Sequence, residues 1–192
     1  MDEIKKRLLV IGTGLVFLLV SIYYDNQVVD FFNDHQYSFL TYYFTLLTNF
    51  LVIFLIFLVM STIFLWKDNQ KEWAVSLWIS FLFTAAAVIT LKLLVGRARP
   101  FDLYDIYTIE LVNYAFPSLH TAAVFSLVPI LDKEYPWLMW FWIILAIVIA
   151  ISRLYLGVHY MSDVIAGAVI GYAIGASIIY IKEKYFYYVK FK

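Results

Sequence analysis

No cysteine occurs in the chain, which removes disulfides, Cys-ligated zinc and thiol catalysis while identifying no compartment. Excess charge of either sign is missing too: fourteen Lys and Arg balance fourteen Asp and Glu, for a formal net charge of zero. No global field therefore favours nucleic acid or an acidic partner. The 192 residues contain no internal repeat, low-complexity tract or flexible linker. A chain of this length reads as one domain, 1–192.

What is present is apolar surface. The chain is 64% hydrophobic and 20% aromatic, far from the composition of a soluble domain. Runs approaching the ~20 residues needed to span a bilayer recur at Leu8–Tyr24, Phe39–Trp66, Trp73–Val95, Ser118–Leu131, Trp137–Tyr155 and Met161–Ile181. The expected fold is all-α, a polytopic membrane protein of six transmembrane helices. The fourth run is the shortest, reaching ~21 Å at ~1.5 Å per residue. Either it extends back through Tyr114–Pro117, or it starts below the bilayer surface and recesses His120. Lys5-Lys6-Arg7 before the first run imitates a signal peptide, but Ser21-Ile-Tyr-Tyr-Asp25 holds no small-residue cleavage site, so an uncleaved span is expected.

Basic residues orient the spans. With both termini cytoplasmic, the inside holds Lys5, Lys6, Arg7, Lys67, Lys71, Lys133, Lys182, Lys184, Lys190 and Lys192. The outside keeps only Lys92, Arg97, Arg99 and Arg153, and the first outer loop, Asp25–Ser38, has no Lys or Arg. This is the positive-inside distribution of a cell-membrane protein. Tyr23, Tyr24, Tyr42, Tyr43, Trp66, Trp73, Trp137, Tyr155 and Tyr180 read as interfacial anchors. Between spans three and four, Leu103, Ile106, Tyr107, Glu110, Leu111 and Tyr114 approximate helical spacing, so a short interfacial helix is expected. Gly167, Gly171 and Gly175 give span six a small-residue stripe suited to close helix packing. Ala85-Ala86-Ala87 is a candidate opposing surface.

Three polar islands carry the chemistry, all on the outer face: Lys92-x6-Arg99-Pro100, Pro117-Ser-Leu-His120, and Ser152-Arg153-x5-His159-x3-Asp163. Ionisable groups are expensive beside a bilayer, so their clustering asks for a function. His159 and Asp163, four apart, share a helix face, so the carboxylate can accept from the imidazole and free the other nitrogen to attack or take a proton. Such a pair also ties loops to helices, and its spacing alone leaves both uses open. Arg153 and Lys92 can snorkel at span ends, and Arg99-Pro100 can simply start a loop. Pro117 suits a first helical turn, whose free N–H groups attract anions. Ser118 adds a hydroxyl, and His120 can act as general acid or serve as an ordinary helix-end histidine. His35, in the first outer loop, has no evident partner and reads as surface. Taken together, the islands suit holding a phosphate dianion while a histidine attacks phosphorus.

The islands resemble the three signature motifs of the type 2 phosphatidic acid phosphatase superfamily, K-x6-R-P, P-S-G-H and S-R-x5-H-x3-D, in that order. The first and third match fully, and the second has Leu119 where the family usually has glycine. The motifs cover residues 92–163, and the six-span layout resembles the family's membrane branch over nearly the whole chain. The resemblance implies that His159 attacks phosphorus and forms a phosphohistidine, that Asp163 orients it, and that His120 protonates the leaving oxygen and then activates water. It implies that Lys92, Arg99, Ser118, the Leu119 N–H and Arg153 hold the phosphate, with no metal and no other cofactor. Leucine at 119 strains the turn if positive φ is required there, and costs little if the turn is already helical.

Two rivals remain: a metal-dependent hydrolase using His120, His159 and Asp163 as ligands, opposed by three adjacent cations, and a non-enzymatic phosphate or lipid-phosphate binder or transporter. A cluster at one face, away from the midplane, argues against transport. The implied partners are membrane lipids and a lipid phosphate or diphosphate: polyprenyl phosphate or diphosphate, phosphatidic acid, or phosphatidylglycerol phosphate.

Overall fold

The computed structural model describes residues 3–100 and 114–190, apart from the side chains of residues 50, 51 and 185–190. The expected interfacial helix falls within 101–113 and lies outside the described residues. Their regular secondary structure is helical, with no strand among the described residues. In chain order they form α1 (Glu3–Asp34), α2 (Ser38–Leu47), α3 (Phe50–Ile53), a π-helical stretch (Phe54–Met60), α4 (Ser61–Lys67) and α5 (Lys71–Val95). After 101–113 come α6 (Leu119–Glu134), a 3-10 turn (Pro136–Leu138), α7 (Met139–Tyr155) and α8 (Met161–Lys190). Among the described residues four segments are long and apolar enough to cross a membrane: Glu3–Asp34, Lys71–Val95, Pro136–Tyr155 and Met161–Lys184.

Two boundaries differ from the sequence reading. α1 continues well past Tyr24 to Asp34 and carries a buried Asp25 inside it. That carboxylate does not end the helix, because it finds partners on α8 and in the segment after α5. The run Phe39–Trp66 is not one straight helix. It breaks at Thr48-Asn49, then widens into π-helical turns over Phe54–Met60.

The fourth and shortest run is the most enclosed helix. α6 does not extend back through 114–117; it starts at Leu119. Ten of its sixteen residues are buried, including Val124, Leu127, Ile130 and Leu131. A helix enclosed on every side shows no amphipathic stripe, and at ~1.5 Å per residue it is ~24 Å long. Around it lie α5, α7 and α8, and α1 packs along α8. Phe57, Leu58, Leu65, Leu77, Ile149 and Ile179 join its apolar side chains in the core.

The glycine stripe of α8 faces α6, not Ala85–Ala87. A Cβ added at Gly167 would sit 2.6 Å from the Ser118 carbonyl oxygen, at Gly171 2.1 Å from that of Ala122, and at Gly175 2.2 Å from that of Ser126. The two backbones therefore touch at three successive turns, an approach that any side chain would forbid. Where α5 ends, Gly96 is left-handed (φ 60) and its N–H donates to the Lys92 carbonyl at 2.9 Å, a glycine C-cap. Gly171→Ala is expected to lower stability by roughly 1–3 kcal/mol through overpacking against backbone. Gly12→Ala, whose Cβ meets nothing within 4 Å, serves as control. Thermal unfolding in detergent compares the two.

Candidate active site

All three islands meet at one end of α5, α6 and α8. Lys92, buried in the last turn of α5, donates through Nζ to the Tyr114 carbonyl and, at 3.5 Å, to that of Ala115. The first island is thereby tied to the strand of chain leading into the second. The backbone N–H of Ser118 donates to the Asp163 carbonyl at 3.0 Å, tying the second island to the third.

Ser118 is the N-cap of α6, so Leu119 and His120 occupy its first two helical positions. Pro117 stands one residue outside the cap, not in the first turn. The Ser118 hydroxyl is fully buried and accepts from Thr121 Oγ1 at 3.1 Å. Leu119 and His120 are half-buried. Among the described residues Asn69 is the only non-glycine with positive φ, so Leu119 carries no left-handed strain.

α7 stops at Tyr155, and a turn with Gly157 at φ 66 carries the chain to His159. His159 therefore precedes α8 and does not share its face with Asp163. Its Nδ1 lies 3.7 Å from Asp163 Oδ2, close enough for an ion pair but beyond a hydrogen bond. Both carboxylate oxygens are otherwise engaged. Oδ2 accepts from the Tyr160 N–H at 2.8 Å and Oδ1 from Arg97 at 2.8 Å. The Tyr160 contact is the return half of a capping box, an acid at the third helical position accepting from the N-cap N–H.

Arg97 is the residue that the motifs miss. Its Nη1 donates to Ser162 Oγ at 2.7 Å as well as to Asp163, and its Nη2 donates to Asp25 Oδ2 at 2.7 Å. The guanidinium also lies over the Tyr160 ring, 4.0 Å from its centroid. Asp25 accepts further from the Ser162 N–H at 2.8 Å and its hydroxyl at 2.6 Å. The only sequence signal is that Arg97 is the fourth basic residue that the positive-inside count sets apart from the other ten.

Arg153 is buried and donates to Thr48 Oγ1 at 3.0 Å, so the break after α2 supplies a buried hydroxyl to the third island. Tyr155 is a buried tie rather than an interfacial anchor. Its hydroxyl accepts from the Tyr37 N–H at 2.6 Å, and Gln36 Nε2 donates to its carbonyl at 3.0 Å. His35 stays exposed but is partnered, bonding the Phe31 carbonyl at 2.7 Å and stacking on its ring.

Lys92, Arg99 and Arg153 all act electrostatically on both His120 and His159. The site thus gathers three cations, two imidazoles and the free N–H groups of a helix start, a set suited to an anion with several oxygens. Among the described residues no three His, Asp or Glu side chains come together in an arrangement that could hold a metal ion. Burial, then the charges of Arg153, Arg99 and Lys92, hold the His159 pKa well below the ordinary imidazole value. The neutral ring is therefore expected throughout the range above pH 6.5, and ¹⁵N NMR of labelled histidine should show no titration of His159 between pH 8 and 6.5.

The PAP2 superfamily model matches residues 72–187. The "Bacitracin transport permease protein BcrC" of Bacillus licheniformis is 40% identical over 60 residues, covering 31% of this chain and 30% of that protein. The "Undecaprenyl-diphosphatase" of Sulfolobus acidocaldarius is 33% identical over 101 residues, covering 50% of this chain and 49% of that protein. The chain thus spans about a third to a half of the length of the curated relatives it matches. In fold it is similar to the crystal structure of the first transmembrane PAP2 type phosphatidylglycerolphosphate phosphatase from Bacillus subtilis, with a TM-score of 0.69, 18% identity, and 91% and 96% of the two chains covered.

Proposed function

Because this chain belongs to the PAP2 superfamily, we propose that it is a membrane-embedded phosphatase of lipid phosphates or diphosphates, working through a phosphohistidine. The observation that carries this reading is the convergence of the three islands. Lys92 reaches the chain before Ser118, Ser118 bonds Asp163, and Lys92, Arg99 and Arg153 act electrostatically on both histidines.

In the proposed cycle the phosphate sits at the start of α6, held by Lys92, Arg99, Arg153, the Ser118 hydroxyl and the Leu119 N–H. The Nε2 lone pair of neutral His159 attacks phosphorus, while Nδ1 faces Asp163, whose negative charge offsets the positive charge growing on the ring. As the N–P bond forms, the P–O bond to the lipid alcohol or lipid phosphate breaks, and His120 gives its proton to the departing oxygen. Water then enters. His120 takes a proton from it, the hydroxide oxygen bonds phosphorus, and the N–P bond returns its electrons to His159. Phosphate-ester hydrolysis is among the slowest uncatalysed reactions, with enhancements up to ~10²¹. Fixed cations around the transferring group are the main means of reaching such rates.

Six membrane crossings fit the structure, the four long segments supplemented by Ser38–Lys67 and α6, with both termini inside and the site outward. The absence of cysteine lets single cysteines in the 35–37 and 68–70 connections report sidedness to an impermeant maleimide. Labelling of 35–37 from outside and of 68–70 only after lysis is expected.

Purified protein in detergent is expected to release phosphate from at least one of polyprenyl diphosphate, polyprenyl phosphate, phosphatidic acid and phosphatidylglycerol phosphate, with rates unchanged in EDTA. His159→Ala should abolish turnover and Asp163→Asn should leave residual activity. Full multiple-turnover rates in His159→Ala would falsify the phosphohistidine. Since Leu119 is already helical, Leu119→Gly is expected to give no large gain in turnover. The transport reading draws on the name of the Bacillus licheniformis relative. It gains if the protein binds these lipids and releases no phosphate.

A further inference from the structure

Asp25 lies in α1, outside the residues matched by the family model. Arg97 lies between the fixed positions of the first motif. Neither has a role in the cycle above, yet both are bonded to the base of the third island. We propose that Asp25 and Arg97 are a positioning pair that sets the carboxylate of Asp163 against His159, so that α1 contributes to turnover. The proposal rests on the assignment of His159 as nucleophile and Asp163 as its orienting partner.

Two facts about Asp163 make a second carboxylate and a guanidinium necessary. First, its side chain is fully buried, and a buried carboxylate needs a counter-charge and complete hydrogen bonding to stay in place. Arg97 supplies both, through Nη1 to Oδ1 at 2.8 Å. Second, the Oδ2 that faces His159 Nδ1 is free to rotate about the Cβ–Cγ bond unless Oδ1 is held. The Tyr160 N–H fixes Oδ2 and Arg97 fixes Oδ1, so together they choose the carboxylate plane.

Arg97 is itself held by Asp25, through its other terminal nitrogen, Nη2, at 2.7 Å. Asp25 is 5% exposed, a costly place for a charge within a helix of this hydrophobicity unless it is used. It also accepts from the Ser162 N–H, one of the donors left open at the start of α8. α1 therefore caps α8 from outside, and two carboxylates sit at the positive end of that helix. A cap alone would need only Asp25. The bridging of Asp25, Ser162 and Asp163 by one guanidinium distinguishes a device aimed at Asp163.

The test measures steady-state kinetics of the purified protein on whichever lipid of the panel the wild type hydrolyses fastest. Rates are expressed per folded protein eluting as a single species. Asp25→Asn and Arg97→Gln are expected to lower kcat on the order of 10-fold to 100-fold, as losses of orienting outer partners do elsewhere. KM should move less than about threefold, because the phosphate-holding groups are untouched. In Arg97→Ala, added guanidinium should restore part of the lost rate and sodium at equal ionic strength should not. A merely structural tie would not respond this way, since guanidinium destabilises packing. Wild-type kcat in folded Arg97→Gln overturns the proposal, as does a loss in Arg97→Ala that guanidinium leaves unrelieved. His159→Ala run alongside separates the two readings. If it keeps turning over, the nucleophile assignment fails. If it is inactive while Arg97→Gln matches wild type, the positioning pair alone fails.

Discussion

One half-buried guanidinium, between two buried carboxylates, holds together parts of the chain that are far apart in sequence. Arg97 joins α1, the segment after α5, and the start of α8 through three charge-assisted hydrogen bonds. Hydrogen bonds of this kind are roughly twice as strong as neutral ones. Removing one partner from such a group leaves a buried charge uncompensated, at several kcal/mol. The helix start that carries Asp163 is satisfied by the same contacts, so local capping and the geometry of the polar cluster have a common origin.

Around that knot the scaffold is built outside-in. α6 is the enclosed member, and α5, α7 and α8 present their island residues at its first turn. The chain reaches this arrangement by interrupting helices where a donor or acceptor is needed. Gly96 ends α5 immediately before Arg97, Gly157 turns the chain before His159, and the break at Thr48 leaves a hydroxyl beside Arg153. Each interruption spends regular backbone to aim one side chain.

The motifs and the apolar runs were readable because both are local. A fixed spacing such as Ser152-Arg153-x5-His159-x3-Asp163 survives in one dimension, and so does a run of apolar residues. Asp25 was read as the start of a loop because an acid beside an apolar run normally marks the water boundary. Its compensating charge lies 72 residues away, and no periodicity signals a pairing at that distance. Thr48 is invisible for the same reason. The glycine stripe announced close packing but not its partner, since Ala85–Ala87 and α6 offer equally small surfaces on paper. His159 was placed on a helix because four-residue spacing fits one, whereas Gly157 and the capping role of Asp163 put it in the preceding turn.

The glycine seam between α6 and α8 acts as a ruler. Carbonyls at Ser118, Ala122 and Ser126 seat against Gly167, Gly171 and Gly175 one helical turn at a time. A helix meshed at that four-residue spacing can shift only in steps of ~6 Å, at ~1.5 Å per residue, which would part the Ser118 N–H from the Asp163 carbonyl altogether. Small adjustments by sliding are therefore closed to this pair. A difference in the size of what sits at the site would have to be met by the walls around α6 and α8, with the distance between the second and third islands held constant.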